Sequence, residues 1–205
     1  MANMKLMYSP TSPYVRKVLV LAIETGLDKK IDKRTAATTP VAPNPEVTAL
    51  NPLAKVPSLQ AEGMALYDSP VICEYLDGRH RKKKFFPAKG KARFNALRQQ
   101  ALGDGLLDAA LLVRYEMTLR DANMQSRAWH EAQMGKINAA LAQMEKEAGS
   151  LKGAPTIGQI SFACALGYLD FRFAELGWRN RHKKLAAWYE KFAQRPSMKA
   201  TMPPT

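Results

Sequence analysis

Two short stretches of this chain gather residue types that can grip a peptide: Lys55-Val56-Pro57-Ser58-Leu59 and Leu66-Tyr67-Asp68-Ser69-Pro70. Proline cannot donate to a sheet ladder, so a proline among strand-forming residues marks chain held out of ordinary pairing. A cis Val56–Pro57 bond would accommodate it and turn the Val56 N–H and C=O toward a bound peptide. Asp68 and Ser69 stand just ahead of a helical pattern, where unpaired N–H groups and the helix dipole favour a carboxylate. Together the two stretches describe a site that reads a peptide backbone and a carboxylate side by side. The bland readings stay open: an edge-strand proline needed for folding, a plain serine cap, a solvated aspartate.

The elements that must position these residues follow from hydrophobic period and punctuation. Residues 4–8 read as a first strand. Pro13 opens a helix whose apolar stripe is Val15, Val18, Leu19, Ala22 and Ile23, with Gly26 as its left-handed cap. A weak strand around Lys30–Thr35 leads into a loop with Pro40, Pro43 and Pro45. A hairpin follows, Val56–Gln60 and Met64–Tyr67 about a Glu62-Gly63 turn. Ser69, with Pro70 at the first helical position, starts a helix through Val71, Ile72, Tyr75 and Leu76. The order β-α-β-(loop)-β-β-α is that of a thioredoxin-like fold. Beyond it the pattern is helical: 90–120 with Phe94, Leu97, Ala101, Leu102, Leu106 and Leu107, then 126–148, 157–175 opened by a Thr156–Gln159 capping box, and 183–194. The fold class is α/β plus all-α, with a thioredoxin-like domain over 1–78, a basic linker over 79–89 and a helical-bundle domain over 90–205.

Composition excludes several classes of function. The longest apolar run, Val18 to Ile23, is far short of a membrane span, and Pro10 and Pro13 come too early for a signal-peptide core. Cys73 and Cys164 fit cytosolic free thiols, and the three histidines lack ligand spacing, so no metal is expected. The net charge of +13 is unevenly placed: residues 1–78 are neutral, whereas 79–93 hold eight basic residues and no acid. The run Arg79–Lys84 carries no interleaved aromatics, which makes a solvated linker the better reading than a nucleic-acid arm.

Val56-Pro57, Asp68-Ser69, the Ser9–Val18 stretch and the C-terminal Leu185-x2-Trp188-x3-Phe192-x2-Arg195-Pro196-Ser197 resemble the glutathione S-transferase superfamily. The resemblance covers residues 4 to 198 and points to a bacterial-type member of the branch that starts with serine or cysteine. It implies that glutathione is the co-substrate. Val56 and Pro57 would hold its cysteinyl backbone, Asp68 its ammonium and Ser69 its γ-glutamyl carboxylate, with Lys55 on the glycine carboxylate. Ser12, ahead of Pro13, would accept from a first-turn N–H and donate to the thiolate. Ser9 and Thr11 compete for that role, and Ser12 as a plain helix cap is the bland alternative. Gln159 departs from the family, which usually has aspartate there.

The implied activity is a cytoplasmic, homodimeric transferase acting in detoxification. Its second partner is a small electrophilic or hydrophobic substrate in a pocket that draws on helix 94–120, with Arg114 and Tyr115 as candidates the sequence does not single out. A glutathione-dependent peroxidase, reductase or isomerase shares the site. A non-catalytic binding module on this fold has no need to keep Ser12, Val56-Pro57 and Asp68-Ser69 together.

Overall fold

The computed structural model describes residues 4–204. In chain order its elements are β1 Met4–Tyr8, α1 Pro13–Thr25, β2 Ile31–Thr35, α2 Pro45–Leu50, β3 Ser58–Ala61, β4 Met64–Leu66 and α3 Ser69–Gly78. There follow α4 Gly90–Leu119, α5 Arg127–Glu147, α6 Ile157–Arg172, α7 Trp178–Arg181, α8 Lys183–Ala193 and α9 Pro196–Ala200. They group into two compact units, one running through Arg93 and resuming at Arg195, the other Phe94–Gln194. This differs from the expected division, in which 90–205 formed a single helical domain.

In the first unit the sheet order is β2-β1-β3-β4, with β1 parallel to β2 and antiparallel to β3. That is the thioredoxin-like order expected from the sequence. Gly26 caps α1 in the left-handed region at φ 77°, and the Leu27 N–H reaches back to the Ala22 C=O (2.8 Å). Of the apolar stripe expected on α1, Val15, Val18 and Ala22 are buried and Leu19 and Ile23 half-buried. Arg16, Lys17, Val20 and Leu21 are buried as well, because α1 is packed against α3 on one side and α9 on another.

Helix α2 lies where a proline-rich loop was expected. Asn44 caps it, accepting from the Glu46 and Val47 N–H groups (2.9 and 3.4 Å), and Pro45 fits the first position, where no N–H is needed. Strand β3 starts at Ser58, two residues later than the sequence suggests, since Pro57 cannot join the ladder.

The basic run is tied down. Lys84 donates through Nζ to the Asp77 and His80 carbonyls, Lys82 to the Glu24 carbonyl (3.1 Å), and Arg79 pairs with Glu62 while lying over the Tyr75 ring. The buried Asp77 carboxylate accepts from His80 and from the Phe85 and Phe86 N–H groups (2.9 and 3.1 Å). Its lysines and arginines are solvent-exposed, as a linker's would be, yet the run is anchored at three points: Lys84 at the end of α3, Lys82 at the end of α1 and Arg79 at Glu62.

The C-terminal segment completes the first unit. Arg195 donates twice to the Glu24 carboxylate (2.7 Å each), the Ser197 hydroxyl adds a third bond at 2.6 Å, and Arg16 reaches the Met198 carbonyl at 3.1 Å. Burial pushes the Glu24 carboxyl up, and the bonds from Arg195 and Ser197 more than reverse this, leaving it below its ordinary value.

In the second unit, α4 buries Ala96, Gln99, Gly103, Leu106, Leu107, Ala110 and Val113, while Phe94 is 71% exposed and Ala101 exposed. Of the expected apolar set, Leu106 and Leu107 are buried and Leu97 and Leu102 half-buried, and Gly103 and Gly158 add a close helix approach that the set did not include. A Cβ on Gly158 would sit 2.5 Å from the Gln99 Cβ, and one on Gly103 would sit 3.0 Å from the Ser161 carbonyl carbon. Gln159 reaches back to the Thr156 N–H (3.3 Å), so the capping box tolerates glutamine. Helix α6 stops at Arg172, short of the expected residue 175.

Candidate glutathione site

The sheet register brings the sequence-predicted stretches to one end of the sheet. Met7 of β1 pairs with Ser58 of β3, and Leu59 of β3 pairs with Leu66 of β4, both antiparallel. The chain thus leaves β1 toward Ser9–Ser12, enters β3 from Lys55–Pro57 and leaves β4 toward Tyr67–Ser69 at the same end of the sheet. A shallow polar depression of about 280 Å³ at the opposite end, lined by Lys5, Asp32, Gln60 and Glu62 among others, includes none of these residues.

The Val56–Pro57 bond is cis, as is Tyr67–Asp68. The Val56 side chain packs on the buried cluster of Met7, Ala36 and Val47. Its backbone N–H and C=O have no hydrogen-bond partner among the described residues. The preceding turn is held from within by Asn51, which is buried. Asn51 donates to the Lys55 C=O (3.0 Å) and accepts from the Leu53 N–H (3.0 Å), and the Ser58 hydroxyl donates to the same Lys55 carbonyl (2.8 Å). Ala54, in the left-handed region at φ 53°, has its carbonyl taken by the Thr38 hydroxyl (2.9 Å). Lys55 is fixed through its backbone and leaves its side chain exposed.

Asp68 is the cap residue of α3 and Ser69 its first helical residue, one place earlier than the sequence suggested. The exposed Asp68 carboxylate makes no capping bond, so it is available to a cation; Ser69 is buried beneath it. The Ile72 N–H is satisfied by the Asp68 carbonyl (3.0 Å), and Pro70 has no N–H. The donors left at this end are the N–H groups of Ser69 and Val71, which suit an anion.

Ser12 caps α1, its Oγ accepting from the Val15 N–H at 3.3 Å. Its own N–H is taken by the Ser9 carbonyl (3.1 Å), which fixes the turn. The Ser9 and Thr11 hydroxyls lie 3.2 Å apart and are bonded to each other. All three are half-buried. Cys73 and Cys164 are buried and form no disulfide. Among the described residues, no three His, Cys, Asp or Glu side chains come together as metal ligands, and no helix is long and apolar enough to cross a membrane.

Sequence reasoning did not find Asn51, Thr38 or Asn44, the polar side chains that hold the loop ahead of Pro57. The signal was present in Asn44-Pro45 and Asn51-Pro52, dipeptides that initiate turns and helices.

Comparison with known proteins converges on this architecture. Residues 11–79 match the family profile for the glutathione S-transferase N-terminal domain, and residues 127–191 that for the C-terminal domain. The chain is 34% identical to the GST-like protein YibF of Escherichia coli (strain K12), an alignment covering 98% of this chain and 99% of that one. It belongs to the glutathione S-transferase family.

Among solved structures, a glutathione transferase family member from Pseudomonas fluorescens Pf-5 with bound glutathione has a TM-score of 0.97 and 46% identity, over 98% of this chain and 100% of that one. A P. fluorescens Pf-5 family member with bound S-(propanoic acid)-glutathione gives 0.92 at 46% identity, with the same coverage. The glutathione S-transferase from Methylobacillus flagellatus KT, with glutathione bound, gives 0.87 at 36% identity, again over 98% and 100% of the two chains.

Proposed function

We propose that this chain is a glutathione transferase that binds glutathione at the shared end of β1, β3 and β4, holds its sulfur as thiolate and delivers it to a small electrophilic or hydrophobic substrate. The observation that supports this best is Val56, whose N–H and C=O have no partner among the described residues, at the end of the sheet where a helix N-terminus and a capping serine also emerge. Val56 pairs with the cysteinyl backbone of glutathione, beside Pro57. Asp68 takes the γ-glutamyl ammonium, and the Ser69 N–H and hydroxyl take its carboxylate. Lys55 supplies a point charge for the glycine carboxylate.

A free thiol has a pKa of roughly 8.5, and a hydroxyl donor at a helix N-terminus lowers it. Ser12 is that donor. The thiolate then attacks the electrophilic atom of the second substrate, forming the carbon–sulfur bond as the leaving group departs or a proton is taken up. No protein nucleophile is required. Relatives with bound glutathione, and one with a glutathione thioether, are in keeping with this chemistry. The same reading makes the protein a cytoplasmic homodimer active in detoxification.

Calorimetric titration with glutathione tests the site. Asp68→Ala combined with Ser69→Ala is expected to weaken binding about tenfold or more, the cost of losing a hydrogen bond to a charged group. An unchanged affinity in the double variant would sink the assignment.

A further inference from the structure

The helical unit carries a second cluster whose charges are out of balance. Helices α4 and α6 meet at two glycines and point the same way, since Gly158 meets Gln99 and Ala96 while Gly103 meets Ser161. From Gly103 to Arg114 and from Ser161 to Arg172 the spacing is the same, eleven residues. Eleven residues make about three helical turns, so each arginine returns to the side of its helix on which Gly103 or Ser161 makes the contact. Tyr115 and Tyr168 accompany them. Arg114, Tyr115 and Arg172 are half-buried and Tyr168 is buried.

Neither guanidinium has a carboxylate partner among the described residues, and the acids two residues from each in sequence are engaged elsewhere. Glu116 pairs with Arg120 and accepts from the Ser126 N–H (2.8 Å), while Asp170 binds the Trp178 indole (2.8 Å) and Arg179 (2.6 Å). Arg172 lies over the Phe171 ring at 3.7 Å, which steers the guanidinium plane and leaves its N–H edge available. Burial, then the charge of Arg114, lowers the pKa of Arg172, and burial pushes the Tyr168 hydroxyl up to about 12, keeping it a donor. Two half-buried like charges flanked by neutral hydroxyl donors and aromatic rings are complementary to an anion on an apolar body.

We propose that Arg114 and Arg172 form a binding site for an organic carboxylate, the planar acid taken by the guanidinium edges and its apolar body laid against Tyr115, Tyr168 and Phe171. That this carboxylate belongs to the second substrate rests on the transferase reading above; the binding itself does not.

The test uses two probes of one shape, 3-phenylpropanoate and its neutral amide, titrated against the full chain by calorimetry or ligand-observed NMR. The carboxylate is expected to bind at least about tenfold tighter than the amide, the scale of a charge-assisted hydrogen bond. Arg114→Met and Arg172→Met should each bring the carboxylate down to the level of the amide and leave the amide unchanged. Arg127→Met, which removes the same charge from an exposed site, should alter neither. Equal binding of the two probes, no binding of either, or a preference that survives both variants would overturn the proposal. Glutathione affinity, measured on the same samples, reports separately whether the first-unit site stands and whether the variants are folded.

Discussion

Ser12 uses two parts of one hydroxyl. Its lone pair receives the Val15 N–H, which leaves the proton to be donated to whatever negative charge sits ahead of α1. Losing a hydrogen bond to a charged group costs about 1.5–3 kcal/mol, equivalent to about one to two pKa units on the bound thiol. Ser12→Ala is therefore expected to reduce the ultraviolet thiolate absorbance of the glutathione complex at neutral pH, with affinity for glutathione little changed. Ser9→Ala is the control, because the Ser9 hydroxyl is already paired with Thr11. A thiolate signal lost in Ser9→Ala and kept in Ser12→Ala would reverse the two roles. At this scale the chain was legible wherever a residue does its work through local backbone: Ser12, Pro57 and Gly26 announce themselves by neighbours one to three positions away. Asn51 was not, because a buried asparagine holding a turn looks in sequence like any polar loop residue.

Among elements, the join of α4, α5 and α6 shows how a polar side chain can close a helical bundle. Glu147 at the end of α5 accepts from Arg98 (2.7 Å), Gln99 (2.9 Å) and Gln143 (2.7 Å), and Gln99 is the residue against which Gly158 is pressed. Burial would raise the Glu147 carboxyl, but these bonds and the charge of Arg98 bring it from an ordinary 4.5 to about 2. A carboxylate depressed in the folded state stabilises above its unfolded pKa, and that contribution fades as pH falls from 4.5 through about 2. Because Arg98 is half exposed and screened by water, the effect is taken as about 1–2 kcal/mol, below the full linkage value. In urea titrations Glu147→Gln should be less stable than the parent at pH 7, and the gap should close toward the acid end of that window. A gap independent of pH would show that the carboxylate's charge is not what stabilises the join. Helix existence was readable here from period alone, while the buried face of α4 was readable only in part. The sequence shows Leu97, Leu106 and Leu107 at helical spacing, but the close approach depends on Gly103 and Gly158 meeting a partner helix distant in the chain.

For the whole molecule, the two-part organisation was visible in the change from mixed to helical patterning, and the membership of the last segment was not. Arg195-Pro196-Ser197 reads as the tail of the helical region, yet it binds Glu24, 171 residues before Arg195. No periodicity reports a contact of that separation. The clasp is bidentate and partly buried, the geometry in which an ion pair contributes most. Removing the chain from Arg195 onward should lower the thermal midpoint and weaken glutathione binding, although no residue named for the site is deleted. A truncated chain with parental midpoint and affinity would show α9 to be dispensable.

The clasp also sets an order of events during synthesis. The strands and helices that carry Ser12, Val56 and Asp68 are made first, but the surface of α1 that receives Arg195 and Met198 waits until the whole helical unit has emerged. For that interval Glu24 is without its arginine and Arg16 without the carbonyl it donates to, both on α1, most of whose residues are buried in the finished fold. Contacts so far apart in sequence form late and leave apolar surface exposed in the meantime. A newborn chain stalled before residue 195 would present the flank of α1 to its surroundings, making that flank the place where chaperones or misassembly would act first.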